Sequence, residues 1–151
     1  MYLRYEDVEE SLAEIMNVKP RRRGAFRAQL RHLRNIGSPC LPKTGKGYAI
    51  NYDRRHALEM LLALELQNIG QTAKRAALVA GSMARTTPYG QYKGEDCYVC
   101  CQANRNDYGN ATGLDQLMSI IKSGPAACAV INVSACVRKL EKTFEKLNIP
   151  R

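Results

Sequence analysis

A nearly acid-free basic stretch from Lys19 to Arg55 constrains this chain more than any other feature of its sequence. Its basic residues are Lys19, Arg21, Arg22, Arg23, Arg27, Arg31, Arg34, Lys43, Lys46, Arg54 and Arg55, and its only acid is Asp53. The flanking segments are mixed in sign, so much of the formal net charge of +9 is concentrated here. A local patch of this kind is typical of a phosphate-binding surface, whereas net charge alone would not distinguish nucleic acid from a membrane.

The sequence predicts a first helix that ends where this stretch begins, and a second helix in the first half of the stretch. Residues 5–18 place apolar side chains at helical spacing, with acids in the first turn. Pro20 can end that helix and open the next, over residues 21–36. The apolar face of the second helix consists of Phe26, Leu30 and Leu33, with arginines on an adjacent stripe. Gly37 is the expected C-terminal cap.

A hairpin and further helices are predicted next. Residues 40–52 hold two glycines around a lysine and then alternate tyrosine, isoleucine and tyrosine, which indicates a β-hairpin with a basic tip. Asp53 is expected to cap a helix over residues 54–69, which Gly70 ends. Thr72 is expected to open a short helix that reaches about Ala80.

The remainder of the chain predicts a linker followed by a small α/β unit. Its elements are a strand at 98–103, a polar loop at 104–110, a helix at 114–121, a strand at 128–133 and a helix at 135–147 capped by Ser134. Two strands and two helices make a poor independent core, so we expect pairing with a second chain as a homodimer. The predicted fold is α+β: a DNA-binding domain (1–80), a linker (81–94) and an αβ dimerisation or sensing module (95–151).

The order of helix, turn, basic helix, Gly-Lys-Gly hairpin and capped helix is that of a winged helix-turn-helix. The second helix is slim enough for a major groove, where arginines can bind guanine or phosphate. The hairpin can lie along the backbone or enter the minor groove, and the start of the next helix favours anions. We expect double-stranded DNA to be contacted by Arg21, Arg22, Arg23, Arg27, Gln29, Arg31, Arg34, Lys43, Lys46, Tyr48, Arg54 and Arg55.

Three stretches, FRAQLRHLRNIGSP, TGKGYAINYD and HALEMLLALELQNIG, resemble the DNA-binding domain of MerR-type transcription regulators. The resemblance covers roughly residues 6–80 and implies a MerR-like winged helix-turn-helix. By this resemblance, Arg31 corresponds to the helix arginine that meets the DNA backbone. Gly47 and Tyr48 correspond to the wing, and Tyr52 to the residue that leads into the next helix.

The chain departs from that family at two points. His32 and Leu33 stand where the family has paired tyrosines in the recognition helix, and the small αβ module stands where the family has a long coiled-coil dimerisation helix. The resemblance therefore does not imply that this chain has the family's effector domain, its ligand or its promoter remodelling. The arrangement is similar to the MerR-like regulators of phages and other mobile elements.

The sequence predicts no catalytic, metal or cofactor site. The Cys97–Cys101 segment lacks a second cysteine pair, and alternation along a strand would point Cys97 and Cys100 to opposite faces. The TGKGY segment lacks the spacing of a nucleotide-binding loop, and the serines have no nearby histidine. We expect the cysteines to be free thiols, most of them buried.

These observations predict a homodimeric, sequence-specific DNA-binding transcription regulator that is not an enzyme. We expect it in the cytoplasm, associated with the bacterial nucleoid, with RNA polymerase as a further candidate partner and no membrane contact. Two other hypotheses stay open. One is a DNA-bending directionality or excision factor of a mobile element, and the other is a protein–protein interaction module in which the αβ half does the binding.

Overall fold

The structure of the protein is a computed structural model that describes residues 2–41, 50–86, 96–102, 108–124 and 128–149. This part of the chain has a mixed α+β fold. The helices are α1 (Tyr5–Ile15), α2 (Arg23–Asn35), α3 (Arg54–Asn68), α4 (Ala73–Thr86), α5 (Leu114–Ser123) and α6 (Val133–Lys146); a 3-10 turn (Pro20–Arg22) precedes α2. The strands are β1 (Cys97–Gln102), β2 (Tyr108–Thr112) and β3 (Cys128–Asn132).

Four helices end in the same left-handed turn. The residue with positive φ is Asn17, Gly37, Gly70 or Asn148. In each turn the next amide bonds to a carbonyl five residues earlier, as Val18 N–H does to the Ala13 carbonyl oxygen at 2.9 Å. Only glycine, and to a lesser extent asparagine, adopts this conformation at low cost. The predicted helix ends at Gly37 and Gly70 are confirmed.

The three strands form one antiparallel sheet in the order β2-β1-β3. Cys100 of β1 lies opposite Gly109 of β2 and Val130 of β3. Side chains alternate between two faces. Val99, Cys101 and Ile131 face the main core, whereas Cys100 packs with Ala111 and Leu117 beneath α5.

One hydrophobic core runs through both halves of the chain. Helices α3 and α4 pack closely as a pair, and α6 packs against both α1 and α3. Buried residues as distant in sequence as Val8, Leu61, Leu140 and Phe144 therefore belong to one cluster. The predicted domain division stays a prediction, but the core is continuous across it.

Several elements differ from the sequence-based expectation. Helix α4 continues to Thr86, into the stretch predicted as a linker, because Gly81 lets the helix approach Glu59: a Cβ there would lie 3.1 Å from the Glu59 Oε1 atom. The last residues of the predicted polar loop belong to β2, whose YGNAT sequence has weak strand propensity and is stabilised by pairing with β1.

The cap of α6 also differs. Asn132, rather than Ser134, accepts a hydrogen bond from the backbone of Ala135 at 2.8 Å. The Ser134 hydroxyl instead accepts from Cys97 N–H at 2.9 Å and joins the helix to β1. The predicted cap of α3 is confirmed, since the Asp53 carboxylate accepts from His56 N–H at 2.8 Å.

Residues 42–49, which contain most of the predicted hairpin with Lys43, Lys46 and Tyr48, lie outside the described residues. The chain that follows is anchored: Leu3 and Tyr52 exchange backbone hydrogen bonds of 2.7 and 3.1 Å. The buried Tyr52 ring packs against Tyr5 and His56. No helix in the described ranges is both long and apolar enough to cross a membrane.

Candidate nucleic-acid interface

Helix α2 is held to the protein by one narrow apolar face. Phe26, Leu30 and Leu33 are buried, and the helix packs against α1, α3 and α4. Its outer side carries small exposed residues, Gly24, Ala25 and Ala28. A Cβ placed on Gly24 would meet nothing within 4 Å. The helix therefore presents a low, uncovered outer surface.

Exposed arginines lie on α2, in the turn before it and at the start of α3. Arg21 and Arg22 lie in the 3-10 turn at its start, and Arg31 lies two turns into α2. Arg55 is exposed in the first turn of α3. None of these four forms an ion pair with another residue in the described ranges. Their charges therefore have no carboxylate partner in this part of the chain and are available to an anion.

Arg27 is engaged within the chain. Its Nε atom donates to the Glu9 Oε1 atom at 2.5 Å, which joins α2 to α1. The hydrogen bond and charge of Glu9 raise the pKa of Arg27. The Glu9 side chain is largely buried, whereas that of Arg27 is 61% exposed. Arg27 thus neutralises a buried carboxylate while keeping an exposed edge.

The remaining α2 residues of the predicted set face neighbouring elements. The Arg34 guanidinium lies over the Tyr5 ring, 4.9 Å from its centroid. Gln29 donates to the side-chain oxygen of Gln67 on α3 at 3.2 Å. Arg23 is half-buried at the start of α2. These contacts orient α2, and they leave fewer side chains for DNA than its arginine count suggests.

Arg54 lies on the side of α3 that meets α6. It forms an ion pair with Glu141, and its guanidinium carbon lies 5.1 Å from the centroid of the Phe144 ring. Arg54 is half-buried as a result, whereas Arg55 next to it is exposed. The structure thus separates the two adjacent arginines, and Arg54 ties the two halves of the protein together.

Sequence reasoning did not identify the role of Glu59, a buried acid of α3 that holds the turn after α2. Its carboxylate accepts from the Ser38 hydroxyl at 3.2 Å and from Cys40 N–H at 3.1 Å. Burial raises the pKa of the Glu59 carboxyl, while these hydrogen bonds and the charge of Arg85 act in the opposite direction. The signal available in the sequence is an acid inside the apolar run ALEMLLAL.

A cleft of about 530 Å³ opens beside this turn and α4. Its lining includes apolar Ile36 and Leu78 together with the basic residues Lys74, Arg75 and Arg85. These cations lie outside the predicted DNA-contacting set. They place further positive charge beside the turn that leads into the predicted wing.

No protein-family model and no curated protein matches this chain.

Proposed function

We propose that the protein is a sequence-specific double-stranded DNA-binding transcription regulator that acts as a homodimer, with a MerR-like winged helix-turn-helix in its first half. The observation that carries this proposal is the outer side of α2. It combines small exposed side chains at Gly24 and Ala28 with an exposed Arg31 and no covering element among the described residues.

The dimensions of the helix support a groove-binding role. An α-helix with side chains is about 10–12 Å across, and the major groove of B-DNA is about 12 Å wide. Small residues on the outer side let the helix axis approach the base edges closely. Arg31 can then reach a guanine or a phosphate, while Arg21 and Arg22 lie at the helix start, where backbone amides also favour phosphate.

The ion pair between Arg27 and Glu9 distinguishes two kinds of arginine within this surface. A charge that already has a carboxylate partner attracts phosphate less than one without. Arg31 is therefore expected to contribute more to DNA affinity than Arg27, and Arg27 more to the packing of α2 on α1. Lys43, Lys46 and Tyr48 remain proposed wing contacts, next to a turn that Glu59 holds in place.

Footprinting and titration of Arg31→Ala test the proposal. We expect the wild-type protein to protect a discrete site, and Arg31→Ala to weaken binding to that site about tenfold or more without loss of helical circular dichroism. Lys142→Ala, which removes an exposed charge from α6, is the matched control and should leave affinity nearly unchanged.

Other outcomes of the experiment reject the proposal. Equal affinity for random and selected DNA at moderate salt would indicate an architectural binder instead. Equal losses in Arg31→Ala and Lys142→Ala would show that only overall charge matters. A protected site beside a recombination attachment sequence, with strong bending, would favour an excision factor over a regulator.

A further inference from the structure

Helix α5 carries an apolar stripe that the fold leaves uncovered. Leu114, Met118 and Ile121 recur at helical spacing and are 62%, 43% and 39% exposed. Leu117 on the adjacent side of the helix is buried against the sheet. This stripe is therefore additional to the face that holds α5 to the protein.

A further exposed apolar residue lies on the side of the sheet that α5 covers. Val130 lies opposite Cys100, so it points to the same face of the sheet as the residues beneath α5. It is 39% exposed on β3, which is an edge strand, while α5 packs over β2 and β1. Exposed apolar side chains on α5 and on an edge strand at the same side of the sheet are of the kind that mark a protein interface.

The charges along α5 are arranged for pairing with an identical helix. Asp115 in the first turn and Lys122 in the last lie on the same flank of the stripe, seven residues apart. A shallow groove between them is lined by Asp115, Met118, Ser119, Lys122 and Ser123. Neither charged residue forms an ion pair with any other described part of the chain.

A two-fold axis near Met118 would use all of these features at once. In an isologous interface, residue i of one protomer meets residue j of the other, and the reverse. Two antiparallel copies of α5 would set Asp115 of each beside Lys122 of the other, with the apolar stripes between them. A parallel two-fold arrangement would put the charged flanks of the two helices on opposite sides and leave these charges without partners.

We propose that the α5 stripe is the homodimer interface and that its occupant is α5 of a second copy of this chain. This inference deepens the proposed function and rests on its homodimer. Helix α5 has only 10 residues. We therefore expect it to bury less than the roughly 800 Å² that each partner buries in a standard interface, and we expect a dissociation constant on the order of micromolar.

Sedimentation of the full chain without DNA tests the interface. We expect the wild-type protein to change from monomer to dimer with concentration, and Met118→Asp to weaken the dimer about tenfold or more. Leu78→Asp places the same charge on a more exposed apolar residue of α4 and should leave the dimer unchanged. A wild-type monomer, or a Met118→Asp dimer of unchanged strength, overturns the proposal.

Exchange of the two charges tests the antiparallel pairing. Asp115→Lys and Lys122→Asp should each weaken self-association about threefold to tenfold, because each sets like charges beside each other twice in the dimer. A mixture of the two single variants should recover association, since each then offers the charge that the other requires. No recovery in the mixture would overturn the pairing of α5 with α5.

The dimer and the DNA proposal fail separately. If Met118→Asp is monomeric yet still protects one half of the site, the interface is supported and DNA recognition stands. If the wild-type protein forms a dimer that Met118→Asp weakens, but binds no DNA, the α5 interface stands and the proposed function fails. If it binds DNA only as a monomer, the interface is overturned.

Discussion

The two faces of the β-sheet are buried in very different ways. On the inner face, Val99, Cys101 and Ile131 join a core built from α1, α2, α3, α4 and α6. On the outer face, the buried cluster consists of Cys100, Ala111 and Leu117 beneath the single helix α5. The inner face therefore belongs to one large core, whereas the outer layer is thin and leaves apolar surface exposed.

Buried thiols lie on both faces of the sheet, and burial also raises the pKa of Cys100 in the outer cluster. Burial raises the pKa of Cys136 to about 11, and it also raises the pKa of Cys101; both lie in the main core. A buried thiol whose pKa is raised stays protonated near neutral pH and reacts slowly. The cysteines of the inner core are thus packing residues, in agreement with the expectation from the sequence.

The largest expected effect comes from Leu140→Ala. Leu140 lies in α6, late in the chain, yet it is fully buried in the core shared with α1 and α3. Removing the side chain should lower the free energy of unfolding by about 3 kcal/mol. Hydrogen exchange should show that amides of α1 and α3 lose protection together with those of α6.

Leu117→Ala is the matched substitution in the outer layer. Because Leu117 belongs to the small cluster, lost protection should concentrate in α5 and β2. If Leu140→Ala instead leaves α1 and α3 protected, the two halves unfold independently and the continuous core is not one cooperative unit.

A smaller effect is expected at Glu59, a buried acid of α3. Glu59→Ala leaves the Ser38 hydroxyl and Cys40 N–H without their acceptor and should cost about 2 kcal/mol in chemical denaturation. Glu59→Gln keeps an acceptor oxygen and should cost less. A cost for Glu59→Gln equal to that for Glu59→Ala would contradict the role of these hydrogen bonds.

The Glu59 carboxyl should also make stability depend on pH. A carboxyl whose pKa is raised by burial binds a proton more tightly in the folded chain. Its contribution to stability is therefore greatest at low pH and is lost as pH rises from the usual carboxyl pKa through the raised one. Denaturation between about pH 4.5 and pH 7 should show this slope in the wild-type protein and its absence in Glu59→Gln.

The smallest expected losses of stability are at two helix caps, one in each half of the chain. Asp53 caps α3 and Asn132 caps α6, each with a hydrogen bond of 2.8 Å. Asp53→Ala and Asn132→Ala should each lower the free energy of unfolding by about 1 kcal/mol. Serine at either position should recover part of the loss. A much smaller effect of Asn132→Ala would show that α6 is less tightly coupled to global unfolding than α3.

Sequence reasoning predicted the elements whose signals are local. The apolar spacing of α2, the cap at Asp53 and the turns at Gly37 and Gly70 were all predicted correctly, because each depends on a few neighbouring residues. Strand β2 was missed because a strand is stabilised by hydrogen bonds to a partner distant in sequence. The end of α4 was missed because Gly81, a poor helix former, is accepted for its close approach to Glu59.

In the candidate site, too, the sequence predicted the local features, and the contacts between distant residues were not predictable. A sequence shows how many arginines α2 carries, but it does not show that Glu9 of α1 reaches Arg27, or that Glu141 of α6 reaches Arg54. Arg31 and Arg55 differ from these two only in what the fold places beside them. The predicted DNA-contacting set therefore describes the charge of the region, and the tertiary contacts distinguish its members.

The amino-acid sequence by itself determined the helices, the helix ends at Gly37 and Gly70 and the location of positive charge, because helix periodicity, capping and charge are properties of residues close together in the chain. Tertiary structure alone decided which arginines have carboxylate partners, that α6 completes the core of the first half, and that α5 keeps an apolar stripe uncovered. Those outcomes depend on contacts between residues far apart in the chain, whose partners no local pattern specifies.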